Sequence, residues 1–321
     1  MGLVHARNAS ELGGARLVAV AAARPNRAVE VAGELGVRAC TYEALLSAED
    51  VDAVFVAARS IDHAEVAVAA LESGKHVFLE KPGATTLSEH DRLSDTARAR
   101  PDLVLQFGYQ RRFDPAHLEA RRLVVSGAIG EPLLVLATSR DMEWPEGEDP
   151  AETGGFLVDM AVHDYDIACW FLGGRPVEVS AVRQARVYPE LEALGDLDNA
   201  LVTIRFADGG AAVTHVSRTC AYGHDIRCEI VGREGSVFVG DASAGVLTAR
   251  DRKRFPQDFR ERFADAYRAE LAAFVDACRG GPRLGAGLDE DRAAVEIGVA
   301  ARASAVAGAP CEVGPDWPWV G

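Results

Sequence analysis

The sequence predicts an α/β protein in two parts: a doubly wound parallel sheet over residues 1–108, and an α+β domain with a large, open, mostly antiparallel sheet over 109–321. Three observations carry this. Between residues 16 and 108, short strands apolar on both faces alternate with helix-like stretches, as in a parallel sheet covered by helices on both sides. After residue 108 the texture changes to alternating runs joined by hairpin-type turns, which indicates antiparallel pairing. A length of 321 residues also suits about two domains of roughly 100 to 200 residues each.

In chain order, the strand-like runs of the first part are 17–21, 37–40, 53–57, 76–79 and 103–107. The helix-like stretches between them are 26–35, 42–46, 61–73 and 87–98, with Gly36 and Gly74 where helices should stop. This is a nucleotide-binding layout, and such a sheet normally begins with a strand and a Gly-x-Gly-x-x-Gly turn that holds the pyrophosphate. Here the chain opens as helix, Met1-Gly-Leu-Val-His-Ala-Arg-Asn8, with Gly2 alone placed to belong to that turn. The expectation is a sheet whose first strand lies upstream of the sequence, so that the functional protein extends further at its N-terminus.

In the second part a helix at 116–125 precedes runs at 133–137, 177–182, 200–206, 211–217, 226–231 and 236–239. Asp208-Gly209-Gly210 and Gly232-Arg-Glu-Gly235 are the turns. One sheet face should pack on a helix spanning 155–172, and the other is open for a second subunit. Helices at 259–279 and 289–306 close the chain.

Composition narrows the function classes. Hydrophobic residues at 48% and charged residues at 26% fit a globular protein. A net charge of −15 disfavours nucleic acid and anionic membranes as partners. No apolar run approaches the ~20 residues of a membrane span and no signal-peptide pattern opens the chain, so the cytoplasm is the default location. The six cysteines are scattered without a Cys-x-x-Cys pair, which suits reduced thiols and predicts no metal site.

Two stretches carry chemistry. Asp159 and His163 are four residues apart, so on one helix they share a face, with Asp166 a further turn along. A base and its orienting carboxylate can meet there, and Gly154-Gly155 lets a ligand come close to the backbone. The alternative is a solvated amphipathic face. Glu80-Lys81-Pro82 follows the fourth strand-like run, at the carboxyl edge of the parallel sheet, where ligands of such sheets bind. Its alternative is a solvated turn.

Glu80-Lys81-Pro82, Gly108-Tyr-Gln-Arg-Arg-Phe-Asp114, and Gly154-Gly155 followed by Asp159, His163, Asp164 and Asp166 resemble the family of glucose-fructose oxidoreductase and inositol 2-dehydrogenase. Ser217-Arg-Thr-Cys-Ala-Tyr-Gly-His-Asp-Ile-Arg227 resembles the inositol 2-dehydrogenase branch. The likeness runs through nearly the whole chain in one order. It implies a Rossmann domain, a homodimer or homotetramer, and NAD- or NADP-dependent oxidation of a polyol or sugar hydroxyl to a ketone. By the same resemblance Lys81, Asp159 and His163 are the catalytic trio, and Arg111 lies beside the cofactor unless it only pairs with Asp114.

Departures from the family pattern affect the cofactor site. Arg59-Ser-Ile-Asp-His63 replaces the usual Pro-Thr-x-x-His run near the ribose. After the 17–21 strand, Ala22-Ala23-Arg24 stands where an acidic residue would hold the ribose of NAD, which tilts the expectation toward NADP. The cofactor-binding set is therefore Gly2, Ala22, Arg24, Glu80, Lys81 and Arg111. Two rival readings stay open: a relative acting on a different sugar or diol, and a sugar-binding relative that has lost its cofactor.

Overall fold

The computed structural model of the chain describes residues 1–145, 147–240 and 257–314. The chain divides into two compact units, Met1–Gln110 with Asp265–Asp291, and Arg111–Ala264 with Arg292–Gly321.

The first unit has the expected alternation. Helix α1 (Gly2–Glu11) precedes β1 (Ala19–Ala21), α2 (Pro25–Leu35), β2 (Arg38–Cys40), α3 (Tyr42–Leu46) and β3 (Ala53–Val56). Then come α4 (His63–Glu72), β4 (His76–Glu80), α5 (Leu87–Ala99) and β5 (Leu105–Gly108). All strand pairs here are parallel, β1 with β2 and β4 between β3 and β5. They form two hydrogen-bonded pieces instead of one sheet, because no described strand pairs with both β1 and β3. The ends follow local chemistry: Pro25 opens α2, Gly36 closes it at φ 67°, and Thr86 and Glu89 cap α5 reciprocally. Val77, Phe78 and Leu79 of β4 have no exposed surface, so both faces of that strand are covered.

The second unit starts with α6 (Pro115–Val125), β6 (Pro132–Arg140), α7 (Pro150–Thr153), α8 (Phe156–Asp159) and α9 (Val162–Leu172). It continues with β7 (Pro176–Gln184), α10 (Glu190–Ala193), β8 (Asn199–Phe206), β9 (Ala211–Ser217), β10 (Asp225–Gly232) and β11 (Ser236–Val239). With a short strand β12 (Cys311–Glu312) they make a seven-stranded sheet in the order β11-β10-β6-β9-β8-β7-β12. Every pair is antiparallel except β6 with β9. Alternation sets the two faces. Val135, Ala137, Val202 and Ile204 point inward, where α9 packs on β6 and β9. Leu136, Val182, Leu201 and Phe238 stay on the outer face.

After α11 (Phe259–Arg262) the chain returns to the first unit through α12 (Ala264–Cys278), before α13 (Leu288–Ala307). A single boundary at residue 108 therefore misplaces residues 265–291. The reason is aromatic packing: Phe274 stands edge-on to Phe55 and Phe78, at 5.2 and 5.7 Å, inside the core of the parallel strands. The tail helix expected at 259–279 is likewise two helices, broken at Phe263.

Candidate active site

In the first unit, β4 delivers Glu80 and Lys81 at its carboxyl end, with Glu80 buried and Lys81 half-buried. The turn that follows is pinned from several sides. The Gly83 amide donates to the Asp291 carboxylate, and the Tyr109 hydroxyl donates to the same carboxylate at 2.8 Å. A Cβ at Gly83 would overlap Phe107 and Asp291, so only glycine fits. His63, first residue of α4 after a 3₁₀ turn at Ser60–Asp62, places Nδ1 2.8 Å from the Pro82 carbonyl and Nε2 3.2 Å from that of Ala58. His63 and Tyr109 lie in stretches the sequence singled out, whereas Gly83 and Asp291 do not, because their contact joins distant segments.

In the second unit the expected single helix over 155–172 is two helices, α8 and α9, joined by Met160 and Ala161. The joint is a local widening: the Ala161 amide reaches back five residues to the Phe156 carbonyl at 3.3 Å, while both residues keep right-handed helical dihedrals. Asp159 thus ends α8, and His163 is the second residue of α9. Both are half-buried. Asp166 does not extend this pair as the spacing suggested, since it is buried and held by Arg112 at 2.6 Å. Gly154 and Gly155 serve backbone geometry at φ 83° and 82°, turning the chain between α7 and α8, and Asp196 fills the space beside Gly155 by accepting the Phe156 amide.

The structure adds neighbours that the sequence did not show. Arg218 Nη1 lies 3.1 Å from Glu148 and 3.9 Å from Asp196, with its guanidinium 4.5 Å from the Phe156 ring centre. Burial raises the pKa of Glu148 and of Asp196, and the negative charge of Asp159 adds to both. Arg218 opposes these shifts and holds the acidic group together. The 217–227 stretch meets the end of β6 and the residue after it, since Arg140 donates to the Tyr222 hydroxyl at 2.7 Å and His224 Nδ1 is 2.9 Å from Asp141.

Arg111 is ion-paired, but not to Asp114. Its Nη1 donates to Asp164 at 2.9 Å and its Nη2 to the Ser139 hydroxyl at 2.9 Å, all three residues being buried. Asp114 takes Arg262 and His117 instead.

The groups around β1 and α2 fit a dinucleotide. Helices α1 and α2 begin at Gly2 and Pro25 without side-chain caps; the first-turn amides of α1 suit anionic oxygens, whereas α2 opens on a proline that has no amide to offer. Arg24 is exposed at the start of α2, and no acid precedes it in Ala21-Ala22-Ala23.

A parallel nucleotide-binding sheet with a lysine at a strand end, joined in one chain to a large open sheet, defines a dinucleotide-dependent oxidoreductase. The chain belongs to the GFO/IDH/MocA oxidoreductase family: residues 1–109 match the oxidoreductase family with an NAD-binding Rossmann fold, and residues 117–238 match the GFO/IDH/MocA C-terminal domain. It is 35% identical over 320 residues to scyllo-inositol 2-dehydrogenase (NAD(+)) of Bacillus subtilis, covering 98% of this chain and 93% of that one. Myo-inositol 2-dehydrogenase of Thermotoga maritima is 32% identical over 311 residues, 95% of this chain and 93% of that one. The structure of scyllo-inositol dehydrogenase from Lactobacillus casei with bound NAD(H) and scyllo-inositol superposes with a TM-score of 0.88 at 27% identity, covering 97% of this chain and 96% of that one. The resemblance in the motifs thus holds along the chain.

Proposed function

We propose that this protein oxidises a secondary hydroxyl of an inositol-type polyol to a ketone, with NAD as cofactor. The observation that carries the reading is Lys81 at the carboxyl end of β4, on a backbone anchored by buried Glu80, His63 and Asp291. The inositol dehydrogenases similar to this chain support the substrate class.

In this reading His163 takes the hydroxyl proton, Asp159 orients its imidazole and favours the charged form, and Lys81 steadies the oxygen as it gains charge. The cofactor, when bound, supplies the two-electron acceptor. Gly2, Ala22, Arg24, Glu80 and Lys81 are the residues we assign to holding it. Ala22 and Arg24 leave room for the 2′-phosphate of NADP as well. Arg111, committed to Asp164 and Ser139, is not counted in that set.

We further propose that the working form is a homodimer or homotetramer in the cytoplasm, built on the outer face of the seven-stranded sheet. Leu136, Val182 and Leu201 are 39%, 63% and 50% exposed there, an apolar surface that favours burial against another subunit. The substrate class is tested by following cofactor reduction with myo-inositol, scyllo-inositol, glucose and a simple diol. Turnover on the inositols above the others supports the reading. Preference for glucose or the diol would transfer the protein to another branch of its family.

A further inference from the structure

The buried pair of His5 and Glu80 lies behind Lys81. His5 sits on α1 and is 2% exposed, and its ring is packed 5.1 Å from Phe78, 6.0 Å from Tyr267 and 6.4 Å from Phe55. From this aromatic pocket Nε2 lies 2.5 Å from Glu80 Oε1. The other carboxylate oxygen, Oε2, accepts the backbone amide of Lys81 at 3.3 Å. Across the sheet Glu80 is in register with Gly108, where a Cβ would come within 3.1 Å of Oε2. The carboxylate is therefore held on one side by α1, on another by a gap that glycine keeps open in β5, and on the third by the catalytic turn itself.

The state of this pair follows from its surroundings. His5 Nδ1 is buried and meets no hydrogen-bond partner among the described residues. A proton on Nδ1 would leave a buried donor unpaired, so the tautomer carrying its proton on Nε2 fits, and it donates to Glu80. Burial opposes the charge of Glu80, yet the hydrogen bond from His5 and the positive charge of Lys81 hold its carboxyl below the usual range. An ionised carboxylate accepts the Lys81 amide more strongly than a neutral acid would.

The geometry points to His5 as a positioning residue for Lys81, acting through Glu80: helix α1 sets the carboxylate, and the carboxylate sets the backbone that aims the lysine. This rests on the catalytic reading of Lys81 given above. The tie joins the helix assigned to the cofactor phosphates to the residue assigned to the substrate oxygen, and His5 itself lies outside the trio.

The test uses His5→Phe, which keeps a ring in the pocket but removes the donor, and His5→Gln, whose amide can restore it. Hydrogen exchange of the Lys81 amide, measured without added cofactor, should speed up in His5→Phe and return toward the parent rate in His5→Gln. In turnover, His5→Phe should lower kcat roughly ten- to a hundredfold with KM little changed, as misplacement of a catalytic group by about 1 Å does. His5→Gln should recover most of that loss. If His5→Phe does not fold, His5→Asn takes its place, its amide falling short of Glu80. Parent-like exchange and kcat in His5→Phe would overturn the inference. Lys81→Ala separates the two claims: its inactivity upholds the role of Lys81 whatever His5 does, whereas an active Lys81→Ala removes that role and leaves amide exchange to judge the tie alone.

Discussion

Arg111 Nη1 donates to Asp164 Oδ1 at 2.9 Å, and the same oxygen accepts the Ser139 hydroxyl at 2.7 Å. This places one ion pair and one hydroxyl from three separate elements in the interior of the second unit, with Asp164 fully buried. Removing one partner leaves an uncompensated buried charge, which typically costs about 3 to 5 kcal/mol. Asp164→Ala should therefore lose about that much stability in denaturant melts. A loss below about 1 kcal/mol would mean that the pair is more solvated than its burial implies.

Asp114 predicts the acid side of the stability curve. Its Oδ1 accepts Arg262 at 2.6 Å and its Oδ2 lies 2.7 Å from His117 Nδ1. Burial works against the charge, but the hydrogen bonds from His117 and Arg262 outweigh it and hold the carboxyl far below its usual range. A depressed folded-state pKa gives stability that is complete above the unfolded value of about 3.9 and is lost as pH falls through the folded value. Asp114→Asn should cost roughly 2 kcal/mol at neutral pH, and the gap to the parent should shrink below about pH 4. Urea titrations across that range check the sign; a gap that stays constant into strong acid would assign the loss to packing.

The outer sheet face predicts the assembly. Val182 and Leu201 are cross-strand partners, and Leu136 reaches the same face through its pairing with Val213. A lysine placed at Leu201 would bury an unpaired charge in any interface built there. Leu201→Lys should yield monomers in sedimentation at micromolar concentration while the parent sediments as a dimer or tetramer. Identical sedimentation of the two would move the interface elsewhere.

Much of the fold was legible because period and punctuation decide it locally. Strand β9 and helix α3 lie where alternation and flanking residues put them, and Gly36 and Gly173 end their helices as left-handed glycines do. What failed to show depends on distant partners. The apolar face of α12 says that it packs, but not that Phe274 packs on Phe55 and Phe78 of the first unit. Alternation in β6 and β9 says that each has a buried face, but not that the two run parallel. In the candidate site the spacing of Asp159 and His163 was readable. The joint at Met160-Ala161 was not, because the residues there are ordinary helix formers. Asp164 and Asp166 follow Asp159 and His163 in sequence, yet Arg111 and Arg112 hold them in buried ion pairs that the spacing does not show.

The account centres on His163 as the proton acceptor of a trio with Lys81 and Asp159, and turnover of His163→Ala tests it most directly. General acid-base groups contribute roughly 10²- to 10⁴-fold. With the best inositol substrate, the variant should lose at least about two orders of magnitude in kcat while its affinity for reduced cofactor, followed by fluorescence, stays close to the parent's. A His163→Ala protein that binds cofactor and still turns over at the parent rate would contradict the assignment.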